Sequence, residues 1–326
     1  MLEQSNSGRR RSRRRIGEDL CSADIEQTPI PLLEAFVAVA DELHFSRAAT
    51  RLHLDQPALS RRVKKLEALW SVELFARSSR SVELTETGRA LLAESKAVLA
   101  TNTALSNSVA TIRRRDNGAI RIGFMAHAFG PAVREVIRGF RTDHPEVAVE
   151  FVEGNFTDPT AGIAASATDL AFVWLPFRSP GVSVRPLFEV QRLAVMAASH
   201  PLGSETVLQT SDLAGYTALV PDTTDELFLR FWSLGDSRHG PIAGRCKTPD
   251  ECAVSLLTTT AISIGATTLD DPLPAGLVAI PMHDISPAHV GVSWRPAGAS
   301  SRVRELVQRC IRDLTALSPH RELLGR

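Results

Sequence analysis

Apolar positions along the first ninety residues fall into three helical patterns followed by a short alternating one. Leu32, Leu33, Phe36, Val39 and Ala40 share one face of a helix that Pro29 and Pro31 open. Proline is tolerated in a first turn, whose amides have no partner within the helix, and Thr28 is the expected cap. A second, short helix runs over Phe45–Leu52, with Ser46 as its expected cap and Ala48 and Ala49 small enough for another helix to approach. His53 and Leu54 make a turn. Asp55 then caps a third helix, Gln56 to Leu69, with Pro57 in its first turn. Leu59, Val63, Leu66 and Trp70 lie on one side of it; Pro57, Arg61 and Lys64 lie on the other, with Gln56 and Ser60 at the leading edge. Residues 72–85 give two short alternating stretches around a Ser/Arg turn, which read as a β-wing.

A long helix is expected from Thr85 to about Arg115. Leu84, Leu91, Val98, Leu105 and Ile112 recur every seven residues, the seam of a coiled coil, and Asn102 falls among the small or polar companion positions, where a buried amide can fix register. Packing of this stripe against its own domain is the alternative. Leu91, Val98, Asn102, Leu105 and Ile112 are the candidate dimerisation residues. Arg113-Arg114-Arg115 and then Asp116-Asn117-Gly118 end the helix. Beyond it, strands at 119–124, 147–152 and 170–173 alternate with a helix at 131–141 and another around Ile163-Ala164-Ala165. That alternation predicts an α/β domain with a largely parallel sheet.

Composition changes this picture in one respect. The 326 residues carry equal numbers of acidic and basic side chains, but residues 1–117 hold a net +4 and residues 118–326 a net −4. A basic first part fits a module that binds a polyanion. More than the whole excess lies in Arg9, Arg10, Arg11, Arg13, Arg14 and Arg15, within residues 1–27, which read as a disordered basic tail. Residues 16–21 after those arginines are too acidic and too short for the apolar part of an export signal. The longest uncharged run, Cys252 to Leu269, is rich in Ser and Thr and reads as helix, turn and strand, not as a membrane span. A soluble, cytoplasmic protein is expected. Cys21, Cys246, Cys252 and Cys310 form no Cys-x-x-Cys pair and no zinc spacing. Buried reduced thiols are the plain reading of them, a Cys246–Cys252 redox pair the sharper one. No metal or cofactor is expected, and no nucleophile elbow, phosphate loop or dinucleotide fingerprint is present, so an enzyme is not expected.

The third helix has the chemistry of a recognition helix, because Arg reads guanine, Gln reads adenine and a helix start faces phosphate. An ordinary solvated basic helix has the same pattern. The stretch from Leu33 to Leu92 resembles the N-terminal domain of the LysR-type transcriptional regulators. Phe45-Ser46-Arg47-Ala48-Ala49, Gln56-Pro57-Ala58-Leu59-Ser60, Val72-Glu73-Leu74-Phe75-Ala76-Arg77 and Leu84-Thr85-Glu86-Thr87-Gly88 carry the likeness. It implies a winged helix-turn-helix at 28–88 that binds double-stranded DNA through Ser46, Arg47, Gln56, Pro57, Ser60, Arg61 and Lys64, with Arg77 and Arg80 on the wing. It further implies a linker helix at 85–117 that joins subunits into a homodimer, two of which can form a homotetramer. Asp55 departs from the family's Ser or Thr and caps equally well. Trp70 and Ser71 depart from its Leu-Gly, and a non-glycine there is expected to shift the wing's angle.

The remaining chain resembles the family's effector domain, with the fold of the periplasmic substrate-binding proteins. The anchors are Ile122-Gly123, Phe140-Arg141, Asp169-Leu170-Ala171-Phe172, His200-Pro201-Leu202 and Trp294-Arg295. The resemblance implies two subdomains, 118–188 with 286–326 and 189–285, and a small-molecule effector in the cleft between them. The loop after the first strand carries His127 and Phe129, with imidazole where the family often has a hydroxyl. Thr223 and Thr224 are candidates in the second subdomain. A helix start beside His127 suggests an anionic effector; a solvent-facing loop for His127 and an ordinary polar turn for the threonines are the plainer readings. A solute-binding protein of the transport type shares the α/β fold, and an enzyme with an appended basic domain is the third class.

Overall fold

The structure, a computed structural model, describes residues 27–77, 82–116, 118–235, 240–266 and 273–316. The basic tail, and Arg80 with the tip of the expected wing, lie outside the described residues. The chain forms two compact units, divided between Asn102 and Thr103.

The first unit holds α1 (Ile30–Glu42), α2 (Phe45–Arg51), α3 (Gln56–Trp70), the strands β1 (Phe75–Arg77) and β2 (Val82–Leu84), and the start of α4 (Glu86–Asp116). Its core is the set of apolar faces expected from the sequence: Leu32, Phe36, Val39, Ala48, Ala49, Leu59, Val63, Leu66, Leu74 and Phe75 are all buried. Phe36 meets the rings of Trp70 and Phe75 edge-on at 6.3 and 5.7 Å. β1 and β2 pair antiparallel, Phe75 opposite Leu84, which makes the base of the wing. Two caps differ from expectation. Pro29, not Thr28, occupies the cap position of α1, and the Thr28 hydroxyl instead accepts the indole N–H of Trp70 at 2.9 Å. His44, not Ser46, caps α2, its Nδ1 accepting the amides of Ser46 and Arg47. Imidazole reaches these amides because His44 is extended while Ser46 is already inside the helix. Asp55 caps α3 as expected, accepting from the amide of Ala58.

Ser71 ends α3 with φ 55°, the left-handed conformation that a glycine would take there without strain. Beyond it the Glu67 carboxylate accepts the amides of Leu74 and Phe75, which fixes the entry to the wing. Thr85 then starts α4: its hydroxyl donates to the Glu73 carbonyl at 2.7 Å and accepts from the amide of Gly88. A Cβ on Gly88 would fall 2.2 Å from the Leu74 carbonyl oxygen, so only glycine lets α4 approach this closely.

In the second unit, a five-stranded sheet runs in the order β4 (Ala148–Glu153), β3 (Ala119–Phe124), β5 (Leu170–Leu175), β12 (Ala288–Trp294), β6 (Ser183–Val190). β4, β3 and β5 are parallel, while β12 runs antiparallel to both β5 and β6. α5 (Pro131–Asp143) and α8 (Ser301–Leu314) supply much of its apolar cover. The chain leaves this sheet at Val190 and returns at Ala288. Between those points lie an antiparallel sheet, β10 (Ser263–Ala266), β7 (Arg192–Ala197), β11 (Leu277–Pro281), and a parallel pair, β8 (Ala218–Pro221) with β9 (Ile242–Cys246). α6 (Glu226–Trp232) and α7 (Pro249–Leu257) complete this lobe. The largely parallel sheet expected from β3, β4 and β5 is present, with β6 running the same way and the returning β12 reversed, whereas the separate β10-β7-β11 sheet is antiparallel throughout.

The helix expected around Ile163 is also absent. Ala161, Gly162 and Ser166 have φ of 49°, 90° and 54°, so residues 159–166 wind as successive turns. The Asp158 carboxylate holds them by accepting from Thr160 and Gly162, and the Arg295 guanidinium donates to the carbonyls of Ile163 and Ala164. These turns receive the end of α4: Asn107 Nδ2 donates to the Ala165 carbonyl at 2.9 Å and Thr111 Oγ1 to that of Ser166 at 3.1 Å. Those bonds explain why the second unit begins inside the helix. A Cβ on Gly123 would meet the Ala161 carbonyl oxygen at 2.2 Å, so β3 also needs glycine where the turns cross it.

Arg192, at the first crossing between sheets, is buried. Its Nε donates to the Ser286 carbonyl at 2.7 Å, Nη1 to the Phe231 carbonyl at 2.6 Å and Nη2 to the Ser286 hydroxyl at 3.3 Å, with the guanidinium 4.0 Å from the Phe231 ring centre. Burial pushes its pKa down to about 10, which leaves it charged at neutral pH. Arg192→Met keeps the stem and orphans these acceptors. It is expected to lower unfolding stability by roughly 3 kcal/mol, seen as a lower urea midpoint at unchanged slope.

Candidate functional sites

In the first unit, the sequence-derived contacts gather on α3. Gln56, Pro57, Arg61, Lys64 and Lys65 are exposed, Ser60 is half-buried, and Leu59, Val63 and Leu66 opposite them are fully buried. Ser46 on α2 is exposed beside this face, and its hydroxyl donates to Gln56 Oε1 at 2.9 Å. That bond orients the Gln56 amide and leaves its oxygen a second lone pair and its NH2 group for a further contact. Arg47 is exposed too, yet its guanidinium is held at the end of α1, where it donates to the Glu42 carbonyl and side chain. Arg77 ends β1 at the base of the wing.

Along α4 the heptad positions divide. Leu91 is half-buried against the core of the first unit. Val98, Leu105 and Ile112 are 47 %, 64 % and 58 % exposed, so among the described residues this part of the stripe is left largely uncovered. Val109 is exposed between them, and Asn102 is exposed as well.

In the second unit, a cavity of about 250 Å³ lies between elements of both sheets. Trp174 of β5, with Ala126 and His127 of the loop after β3, forms one wall. Leu193 and Val195 of β7 and Ile264 of β10 form another. Phe228 and Trp232 of α6 and Phe156 add rings, and Cys246, Asp250 and Cys252 close the side toward α7. Trp174 and Trp232 meet edge-on at 5.9 Å, and the Trp174 indole donates to the Ala126 carbonyl at 3.0 Å.

Of the four effector candidates, His127 lines this cavity. It sits half-buried at φ 62° in a turn between buried Met125 and Ala128. Phe129 packs instead among Phe124, Phe151 and Phe172 and borders a separate groove along α5. Thr223 is buried, its hydroxyl accepting the amide of Asp225 ahead of α6, and Thr224 is exposed; neither is in the cavity wall. The wall residues that sequence reasoning passed over are chiefly those of α6. Asp225 as cap, Glu226 in the first turn and Phe228/Trp232 four apart were a legible helix signal. Trp174 closes an uninterrupted apolar strand, a pattern that shows burial and not which face meets a cavity.

The start of α7, which borders the cavity at Pro249 and Asp250, is held by its own side chains. Asp250 and Glu251 occupy the first turn of α7, the Thr248 hydroxyl accepts from the Glu251 amide, and the Glu251 carboxylate accepts from the Lys247 amide. No Lys or Arg is among the described residues of the cavity wall.

Two family descriptions match the chain. Residues 30–89 match the bacterial regulatory helix-turn-helix protein of the lysR family, and residues 113–315 match the LysR substrate binding domain. The chain is 34 % identical to the HTH-type transcriptional regulator XapR of Escherichia coli K12 over 210 residues, 63 % of this chain and 71 % of that protein. It is 27 % identical over 308 residues, 88 % of this chain and 98 % of the other, to a probable hydrogen peroxide-inducible genes activator of Streptomyces viridosporus. The crystal structure of CbnR, a LysR family transcriptional regulator, shares the fold at a TM-score of 0.50 and 18 % identity, over 88 % of this chain and 99 % of that one.

Cys246 and Cys252 are neighbours in the cavity wall, within thiol hydrogen-bonding reach. Burial first, then the neighbouring thiol, pushes the Cys246 pKa up to about 12; burial raises that of Cys252. Cys310, in the core under α8, is likewise pushed to about 12. Thiols so far from ionisation are weak nucleophiles, which favours the plain reading over the redox pair. Iodoacetamide at pH 8 is expected to leave all three unmodified in the folded chain and to label them in urea, as read by peptide mass spectrometry. A thiol whose pKa rises on folding stabilises the fold fully below the unfolded value of about 8.5. That stability is then lost as pH climbs toward 12, so the urea midpoint should fall over this range.

Proposed function

This chain belongs to the LysR family of DNA-binding transcriptional regulators, and from that premise we propose that α3 is its base-reading helix and the cavity beside His127 its effector site. One observation carries the first assignment: an exposed edge of Gln56, Pro57, Arg61 and Lys64 backed by fully buried Leu59, Val63 and Leu66. Burial fixes the helix, and the long polar side chains extend from it to base edges. Ser46 supports Gln56, Arg47 braces α2 against α1, and Arg77, at the base of the wing, meets phosphate, with Arg80 a further phosphate contact suggested by the sequence. The cavity carries the second assignment, because both sheets contribute to it; a ligand there alters how the sheets pack and so biases the regulator between two states. Regulation, not catalysis, is the activity we assign, and the cytoplasm, where the chromosome lies, is where it acts.

Family members act as oligomers, and the exposed stripe of Val98, Leu105 and Ile112 is our choice of dimer seam. Asn102 lies among its companion positions and sets register. The seam begins at Val98, because Leu91 already packs on its own core.

Gln56→Ala and Arg61→Ala are each expected to weaken binding to the specific site by about 1–3 kcal/mol and to relax base preference at one position. Arg77→Ala should weaken all DNA alike and reduce the salt slope. Gel shifts against specific and scrambled duplexes decide; undiminished specific binding in both helix variants removes α3 from this role. The double variant Val98→Asp/Leu105→Asp should elute as a smaller species that no longer holds a two-fold site. An intact dimer by light scattering would exclude the seam.

A further inference from the structure

An amide reads a base only if it faces the right way. A glutamine side chain ends in an oxygen that accepts and an NH2 group that donates, and rotation about its last carbon–carbon bond exchanges the two. Adenine presents an acceptor, N7, beside a donor, its N6 amino group, so one of the two orientations matches it and the other does not. A long exposed side chain at the head of a helix ordinarily samples both. Gln56 is exposed at the head of α3, yet it does not stand alone. Ser46, ten residues earlier on α2, donates its hydroxyl to Gln56 Oε1 at 2.9 Å. The backbone fixes both ends of this bond. Ser46 lies in the first turn of α2, where its amide donates to His44 Nδ1 at 3.2 Å and its carbonyl accepts the Thr50 hydroxyl at 3.1 Å. Gln56 follows the capping Asp55 directly. Buried Ala48 and Ala49 of α2 and Leu59 of α3 seat the two helices in one core. The Gln56 oxygen keeps a second lone pair, and its NH2 group has no partner among the described residues.

Resting on the reading of α3 as the base-reading helix, we propose that Ser46 is a positioning residue for base choice. It holds the Gln56 amide with its oxygen toward α2 and its NH2 group away from it. Gln56 then offers DNA a fixed order of acceptor and donor, which adenine matches. The hydroxyl need not touch the base. It removes the alternative orientation before DNA arrives, which lowers the cost of ordering the side chain and denies other bases an amide that turns to suit them.

The test uses the full chain and duplexes that it selects from a randomised pool. Gln56→Ala identifies the position that Gln56 reads, as the one whose base preference disappears. At that position all four bases are compared by fluorescence anisotropy, with wild type, Ser46→Ala, Ser46→Thr and the double variant Ser46→Ala/Gln56→Ala. Alanine suits an exposed helical position, so the variant is expected to keep its fold. Adenine is expected to rank first for the wild type. Ser46→Ala should reduce its lead over the next base by roughly threefold to tenfold, the effect of one lost hydrogen bond, and leave preferences at other positions as they were. Ser46→Thr keeps the hydroxyl and should keep the lead. Without Gln56, removing the hydroxyl should change no preference. A serine that only bound phosphate, or only supported α2, would lower affinity for all four duplexes alike. That result overturns the inference, as does a base other than adenine in first place, or a preference change from Ser46→Ala that persists in the double variant. Loss of no preference in Gln56→Ala would sink the reading of α3 together with this one. An unchanged lead in Ser46→Ala, with Gln56→Ala effective, removes the role of Ser46 alone.

Discussion

The chain passes twice between the sheets of its second unit, and a single buried guanidinium holds both passages. Arg192 stands where β6 gives way to β7, and its donors reach Ser286, just before β12 returns, and Phe231, at the end of α6. A charge in this position is tolerated because carbonyls and a ring face surround it. By tying Phe231 it also places α6, and with α6 the rings of Phe228 and Trp232 against Trp174. The cavity is the space left once these three elements are fixed. Its walls therefore belong to both sheets.

In the first unit, order comes from close backbone approach more than from charge. Gly88 lets the start of α4 pass against Leu74, Thr85 bridges the Glu73 carbonyl and the Gly88 amide, and Glu67 collects the amides at the wing's entry. Trp70 closes the same corner by reaching back to Thr28. These contacts fix α3 from behind and leave its outer edge free of structural duty, so the exposed polar residues there are available for recognition. The Ser46–Gln56 bond is the exception: it ties the Gln56 amide to α2.

The loop after β3 lies, as expected, at the carboxyl edge of a parallel strand, a place that ordinarily welcomes anions. The helix that follows this loop is α5, whose cap position is Gly130 with no side-chain cap, while the start of α7 in the cavity wall is held by its own Thr248 and Glu251.

The sequence by itself determined the three helices and wing of the first unit, the exposed edge of α3, the α4 stripe, and the α/β character of the second unit. Each is a local periodicity of side chains, and such periodicity is written in neighbouring residues. Its limits show at His44, which took the cap position from Ser46 through backbone geometry, and at Ile163, where left-handed residues turned an expected helix into turns. Tertiary packing alone settled that the second sheet is antiparallel, that Leu91 belongs to its own core, and that Phe129 and Thr223 lie outside the cavity wall while Trp174, Trp232 and Asp250 line it. These residues lie as much as 76 positions apart in the chain. No spacing rule links them, because they are brought together by the double passage of the chain between two sheets, and the order in which strands pair is settled by packing the whole core at once.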